Sequence, residues 1–109
     1  MENKTAVTAL AALAQETRLS LFRALVQAGP AGLAAGKISE MLGIAPSSLS
    51  FHLKELVHAG LIESRNESRF VIYSANFAAM NQLLAFLSEN CCGGHDCLPA
   101  ARPACTQAE

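Results

Sequence analysis

The chain has 109 residues, 51% of them apolar and 16% charged, with a formal net charge of −1 when the histidines are neutral. That length suits one ordinary domain with its own core, and the composition excludes a wholly disordered chain. The near-zero charge excludes a protein that coats nucleic acid nonspecifically and leaves local basic patches as the electrostatic route to DNA.

Residues 5–14 are rich in alanine and leucine and include Ala12-Leu13-Ala14, which raises the question of a secretory signal. Glu2 spoils the positive start of such a signal, whereas Val7, Leu10, Leu13 and Ala14 recur at the spacing of one face of an amphipathic helix. A cytoplasmic chain with reduced thiols is therefore expected. No apolar stretch approaches the roughly 18 residues that span a bilayer, so no membrane partner is expected.

A second helix is predicted from Glu16-Thr17 to Ala28, with Leu19, Phe22, Leu25 and Val26 on the core face and Gly29-Pro30 as its stop. Residues 33–42 form the next predicted helix, burying Ile38, Met41 and Leu42 and ending at Gly43 in a left-handed cap. After a short connector, Pro46 opens a fourth helix, which carries the apolar stripe Leu49, Leu53, Leu56 and Val57 and stops at Gly60. Two short helices across a tight turn with a glycine make a helix-turn-helix. Residues 61–65 and 70–74 are β-prone, and the polar Asn66-Glu67-Ser68-Arg69 between them predicts a hairpin with a charged tip. A last helix over 77–89 presents Met80, Leu83, Leu84 and Leu87, and the chain then turns Gly-, Pro- and Ala-rich. The expected architecture is mainly α with a β-hairpin wing. Residues 1–90 are expected to form the winged helix-turn-helix domain, to which the resemblance given below adds DNA binding and dimerisation, and residues 91–109 a largely flexible cysteine-bearing tail.

With its stripe buried, the fourth helix leaves Ser47, Ser48, Ser50, Phe51, His52, Lys54 and Glu55 off the core. Small hydroxyls approach base edges or phosphates closely, His52 and Lys54 can donate to phosphate or guanine, and a helix N-terminus favours anions. Ser47, Ser48, Ser50, His52 and Lys54 are the candidate groove contacts, and Arg65 and Arg69 are the candidate backbone or minor-groove contacts from the wing. Glu63 and Glu67 partly offset those arginines.

Thr17-Arg18-Leu19, the run Ser47-Ser48-Leu49-Ser50-Phe51-His52-Leu53-Lys54-Glu55-Leu56, His58-Ala59-Gly60-Leu61-Ile62 and Tyr73 together resemble the ArsR/SmtB family of metal-sensing repressors over about residues 10–87. The resemblance implies a winged helix-turn-helix homodimer joined through its first and last helices. It implies binding to an inverted repeat in double-stranded operator DNA and release when an inducer ion binds.

All four cysteines lie in the last nineteen residues, three of them in Cys91-Cys92-Gly93-Gly94-His95-Asp96-Cys97. Clustered thiolates select soft ions, and the glycine pair lets Cys97 fold back onto Cys91 and Cys92. Three sulfurs suit the pyramid of trivalent arsenic, so arsenite, or antimonite, is the expected inducer. Zinc, cadmium and lead are alternatives: zinc favours four ligands with a Cys-x-x-Cys pair, a spacing absent here, although His95 or Cys105 could supply a fourth. A thiol-redox switch is a further alternative. Many arsenic-sensing relatives carry their cysteines in the helix before the DNA-reading one, where residues 36–42 here have none; other members carry a vicinal pair at the end of the last helix, which resembles Asn90-Cys91-Cys92. An enzyme using the same thiols would need an oxyanion-binding loop, and none is visible; a metal-storage or chaperone module is the other alternative, in which the helix-turn-helix would be a structural scaffold and operator binding would fail.

Overall fold

The computed structural model describes residues 1–94. His95, Cys97 and Cys105, and with them most of the expected tail, lie outside the described residues. The elements run α1 (Asn3–Leu13), α2 (Glu16–Ala28), β1 (Leu33–Ala34), α3 (Ala35–Leu42), α4 (Pro46–His58), β2 (Ile62–Glu67), β3 (Phe70–Ala75) and α5 (Phe77–Leu87), followed by a short 3₁₀ turn, Cys91–Gly94. This is the expected mainly helical architecture with a β-hairpin wing. No described helix is long and apolar enough to cross a membrane.

The helices sit where glycine and proline punctuate the sequence, but α1 buries a different face from the one expected, and α2 buries the expected Phe22 and Leu25 with Leu21 in place of Leu19. In α1 the buried residues are Ala6, Ala9 and Ala12, while Val7 and Leu10 are exposed. Alanines at a spacing of three let α1 lie close against α2 and α4, and the larger side chains are left on the outside. In α2 the buried residues are Leu21, Phe22 and Leu25, and Leu19 is exposed. Both helices are apolar around more than one face, so periodicity alone could not choose which face enters the core.

Leu21, Leu25, Ile38, Leu56 and Leu61 are the largest fully buried side chains. Each buried side chain of this size contributes about 1.5–3 kcal/mol, and Phe22, Leu49, Leu53, Ile62 and Leu83 extend the same core. Met41 and Val57, expected in the core, are exposed. Gly43 caps α3 in the left-handed region, as expected, and the Ile44 N–H donates to the Ser39 carbonyl, closing the turn that leads into α4.

The wing is part of a three-stranded antiparallel sheet ordered β1-β3-β2. Strand β1, expected as the first turn of α3, pairs Leu33 with Tyr73 and Ala34 with Ile72. The hairpin is longer and its tip tighter than expected: pairing continues to Glu67 opposite Phe70, so only Ser68 and Arg69 make the turn, with Ser68 at a φ of 57°. A positive φ at the first of two turn residues matches the right-handed twist of the strands. Asn76 caps α5 by accepting from the Ala79 N–H, and its side-chain amide donates to the Gly60 carbonyl, tying the end of α4 to the start of α5. α5 ends at Leu87, two residues before the expected Glu89, where the Ser88 hydroxyl donates to the Leu84 carbonyl.

Candidate nucleic-acid interface and effector site

The buried stripe Leu49, Leu53 and Leu56 turns the opposite side of α4 to solvent, where Ser47, Ser48, Ser50 and Lys54 are exposed. Pro46 occupies the first turn and no side chain caps the helix, so its first amide N–H groups are left for an external acceptor such as phosphate. Lys54 forms no ion pair or hydrogen bond among the described residues, which keeps its ammonium available for a polyanion. Phe51, 56% exposed, stands beside His52 with its ring 5.5 Å away at an angle of 64°. Phe51 is expected off the core from the sequence yet does not figure among the candidate groove contacts, although an exposed phenyl suits contact with a thymine methyl.

His52 is half-buried. Its Nδ1 lies 3.3 Å from an Arg18 guanidinium nitrogen, and Arg18 Nε donates to the Ala12 carbonyl at 2.7 Å. Arg18 belongs to the sequence run that carries the family resemblance, yet only the fold brings it to α4.

The two wing arginines are placed differently. The Arg65 guanidinium donates to the Ala31 carbonyl at 2.8 Å and to the Pro30 carbonyl at 3.4 Å, and pairs with Glu67 at 2.7 Å. It fastens β2 to the loop before β1 and presents a partly neutralised charge. Arg69, at the hairpin tip, has no such partner among the described residues, so the tip carries the more available cation.

Helix α5 is apolar apart from Asn81 and Gln82, yet Leu83 is its only fully buried residue; Leu84 and Leu87 are each 56% exposed. Just beyond it, Asn90, Cys92 and Gly93 have positive φ, and the Gly93 N–H donates to the Asn90 carbonyl in a tight turn. This turn sets Cys91 Sγ 3.7 Å from Cys92 Sγ. Cys97, the third expected ligand, lies outside the described residues, and no group of three ligating side chains occurs among the described ones.

A helix-turn-helix domain family matches residues 13–65. The transcriptional regulator YgaV of Escherichia coli strain K12 is 30% identical over 87 residues, 80% of this chain and 86% of that protein. Among solved structures, an ArsR-like transcriptional regulator from Rhodococcus sp. RHA1 superposes with a TM-score of 0.70 at 28% identity, over 78% of this chain and 77% of that one. A possible transcriptional regulator for arsenical resistance does so with a TM-score of 0.63 at 26% identity, over 72% of this chain and 79% of that one. These relatives are DNA-binding regulators and not enzymes, and with a shared helix-turn-helix, wing and flanking helices the chain belongs to the ArsR family of winged helix-turn-helix transcriptional regulators.

Proposed function

We propose that this regulator is a homodimeric repressor, joined through α1 and α5, that holds double-stranded operator DNA until trivalent arsenic or antimony binds Cys91, Cys92 and Cys97. The observation that carries this reading is the pair of sulfurs 3.7 Å apart at the exit of α5. Two thiolates about 2.3 Å from one ion, at an angle of roughly 100°, stand about 3.5 Å from each other, so the pair needs only a small adjustment to share an ion. Trivalent arsenic supplies three bonds to sulfur and a lone pair where a fourth ligand would sit. Each thiol must give up a proton to bind an ion, and the backbone at Cys92 and Gly93 is left-handed straight after the first cysteine. The likeness to a possible regulator for arsenical resistance supports the same class of ion.

Ser47, Ser48, Ser50, His52 and Lys54 would enter the major groove, with Arg69 and, more weakly, Arg65 against the backbone. In a symmetric dimer the two copies of α4 must meet half-sites about one helical turn apart, so a change at the α1–α5 interface alters the match. The test measures operator affinity of the reduced wild type and of Cys91→Ser and Cys97→Ser while arsenite, zinc, cadmium or peroxide is added. Arsenite should release the wild type and leave both variants bound. Release of the variants by arsenite, or release of the wild type only by zinc, cadmium or peroxide, refutes the assignment.

A further inference from the structure

We propose that Arg18 is a positioning residue for DNA recognition: it fixes the tautomer and orientation of His52, so that the imidazole offers an Nε2–H donor to the DNA, and it ties that donor to α1. The inference rests on the reading of α4 as the DNA-contacting helix and adds to it a residue that touches no DNA.

The chemistry follows from hydrogen-bonding capacity. A guanidinium has only donors, so the Arg18 nitrogen 3.3 Å from His52 Nδ1 requires Nδ1 to be the acceptor. In a neutral imidazole the proton then resides on Nε2. Nε2 has no hydrogen-bond partner among the described residues, so the donor created by this pairing is left for something outside the chain. A single N–H donor on that helix matches an acceptor on DNA, either guanine N7 or O6 or a phosphate oxygen.

The same guanidinium reaches the other way. Arg18 Nε donates at 2.7 Å to the carbonyl of Ala12, in the last turn of α1, where no intrahelical amide remains to satisfy it and where the negative end of the helix favours a cation. The Arg18 backbone N–H is itself fixed by donating to the Gln15 side chain at 2.9 Å. One side chain, anchored at its own backbone, therefore links the end of α1 to an imidazole on α4. Because α1 is a proposed dimer helix, its displacement would disturb the donor as well as the spacing of the two α4 helices.

The test has two independent readouts. In DNA-free protein at a pH where the imidazole is neutral, ¹⁵N NMR should show His52 with Nδ1 unprotonated and Nε2 protonated, and Arg18→Met should yield a mixture of tautomers. On an operator selected from random duplex DNA, Arg18→Met and His52→Ala should each weaken binding about tenfold, and the double variant no more than either alone. Arg18→Lys, which keeps the cation and one donor direction, should restore part of the loss, and melting temperatures show that the variants fold. Replacing guanine with 7-deazaguanine, or phosphates with methylphosphonates, tells base from backbone as the acceptor. An Nδ1–H in the wild type, or losses that add in the double variant, overturns the proposal. Failure of the wild type to bind any selected duplex instead overturns the operator-binding reading on which it rests.

Discussion

Gly32 is the position where a single methyl group should do most damage to the wing. Its φ is +72°, and a Cβ built there would lie 2.3 Å from the Tyr73 carbonyl oxygen and 3.0 Å from Ile72 Cγ2. Both contacts are on β3, and the first is backbone, which cannot swing aside. In Gly32→Ala the left-handed conformation costs about 1–2 kcal/mol. Forcing β1 away from β3 adds about 1–3 kcal/mol, as for other overpacked sites. Restricting the unfolded chain returns about 0.4–1 kcal/mol. The net loss is therefore about 2–4 kcal/mol, which lowers the melting temperature of a domain this size by roughly 10–20 °C. Gly43→Ala supplies the control, because Gly43 has a φ of +65° but nothing within 4 Å of the added methyl, leaving about 1 kcal/mol of conformational strain. Urea denaturation followed by circular dichroism measures both. If Gly32→Ala is no less stable than Gly43→Ala, the close approach of β1 to β3 does not hold the base of the wing, and the argument fails.

Three further outcomes follow from particular contacts. Asn76→Ala removes both the α5 cap and the bond to the Gly60 carbonyl, and should lower unfolding free energy by about 1–2 kcal/mol in the same denaturation assay. Leu84→Glu puts a charge on the exposed face of α5 without touching this protomer's core; sedimentation should show monomers, and operator affinity should fall by at least a hundredfold. Lys54→Ala removes a cation with no partner among the described residues, so the slope of log affinity against log salt should shrink by about one, measured by fluorescence anisotropy.

The fold was readable in the sequence wherever local chemistry forces a choice. Gly29, Gly43 and Gly60 close helices, and Pro46 opens α4, so the helix-turn-helix stands out. What stayed hidden is what tertiary contact decides. The two-residue strand β1 has too few positions to carry a period, and it exists because Gly32 lets the chain lie against β3. The buried stripe of α1 is made of alanines, whose small apolar signal is outweighed by Val7 and Leu10 beside them. Leu19 and Leu21 are the same residue type on one helix, and only packing tells them apart. For the candidate site, spacing singled out the exposed face of α4 and the vicinal cysteines. Nothing in the spacing between Arg18 and His52, or between Arg65 and the Pro30 and Ala31 carbonyls, indicates that these groups meet.

The placement of the sulfur pair bears on how a signal could reach DNA. α5 packs on α1, and α1 packs on α4, so a route from Cys91 and Cys92 to the proposed DNA-contacting helix runs through contiguous packed elements. Leu83 is the one fully buried residue of α5, and Phe77, Met80 and Phe86 pack half-buried against the same core. In the proposed dimer the exposed Leu84 and Leu87 would meet the partner, so an input at the end of α5 would act on that contact. A hundredfold release of operator needs about 2.7 kcal/mol of preference of the ion for the DNA-free form, and linkage makes the effect reciprocal. Operator-bound dimer should therefore bind arsenite about a hundredfold more weakly than free dimer if arsenite lowers operator affinity a hundredfold. Titrating arsenite into the protein with and without saturating operator, and following the ultraviolet absorption of the arsenic–thiolate bonds, measures both sides of the cycle. Equal arsenite affinity in the two titrations would mean that the cysteine turn and the DNA-reading helix are not coupled, however well the three thiols hold the ion.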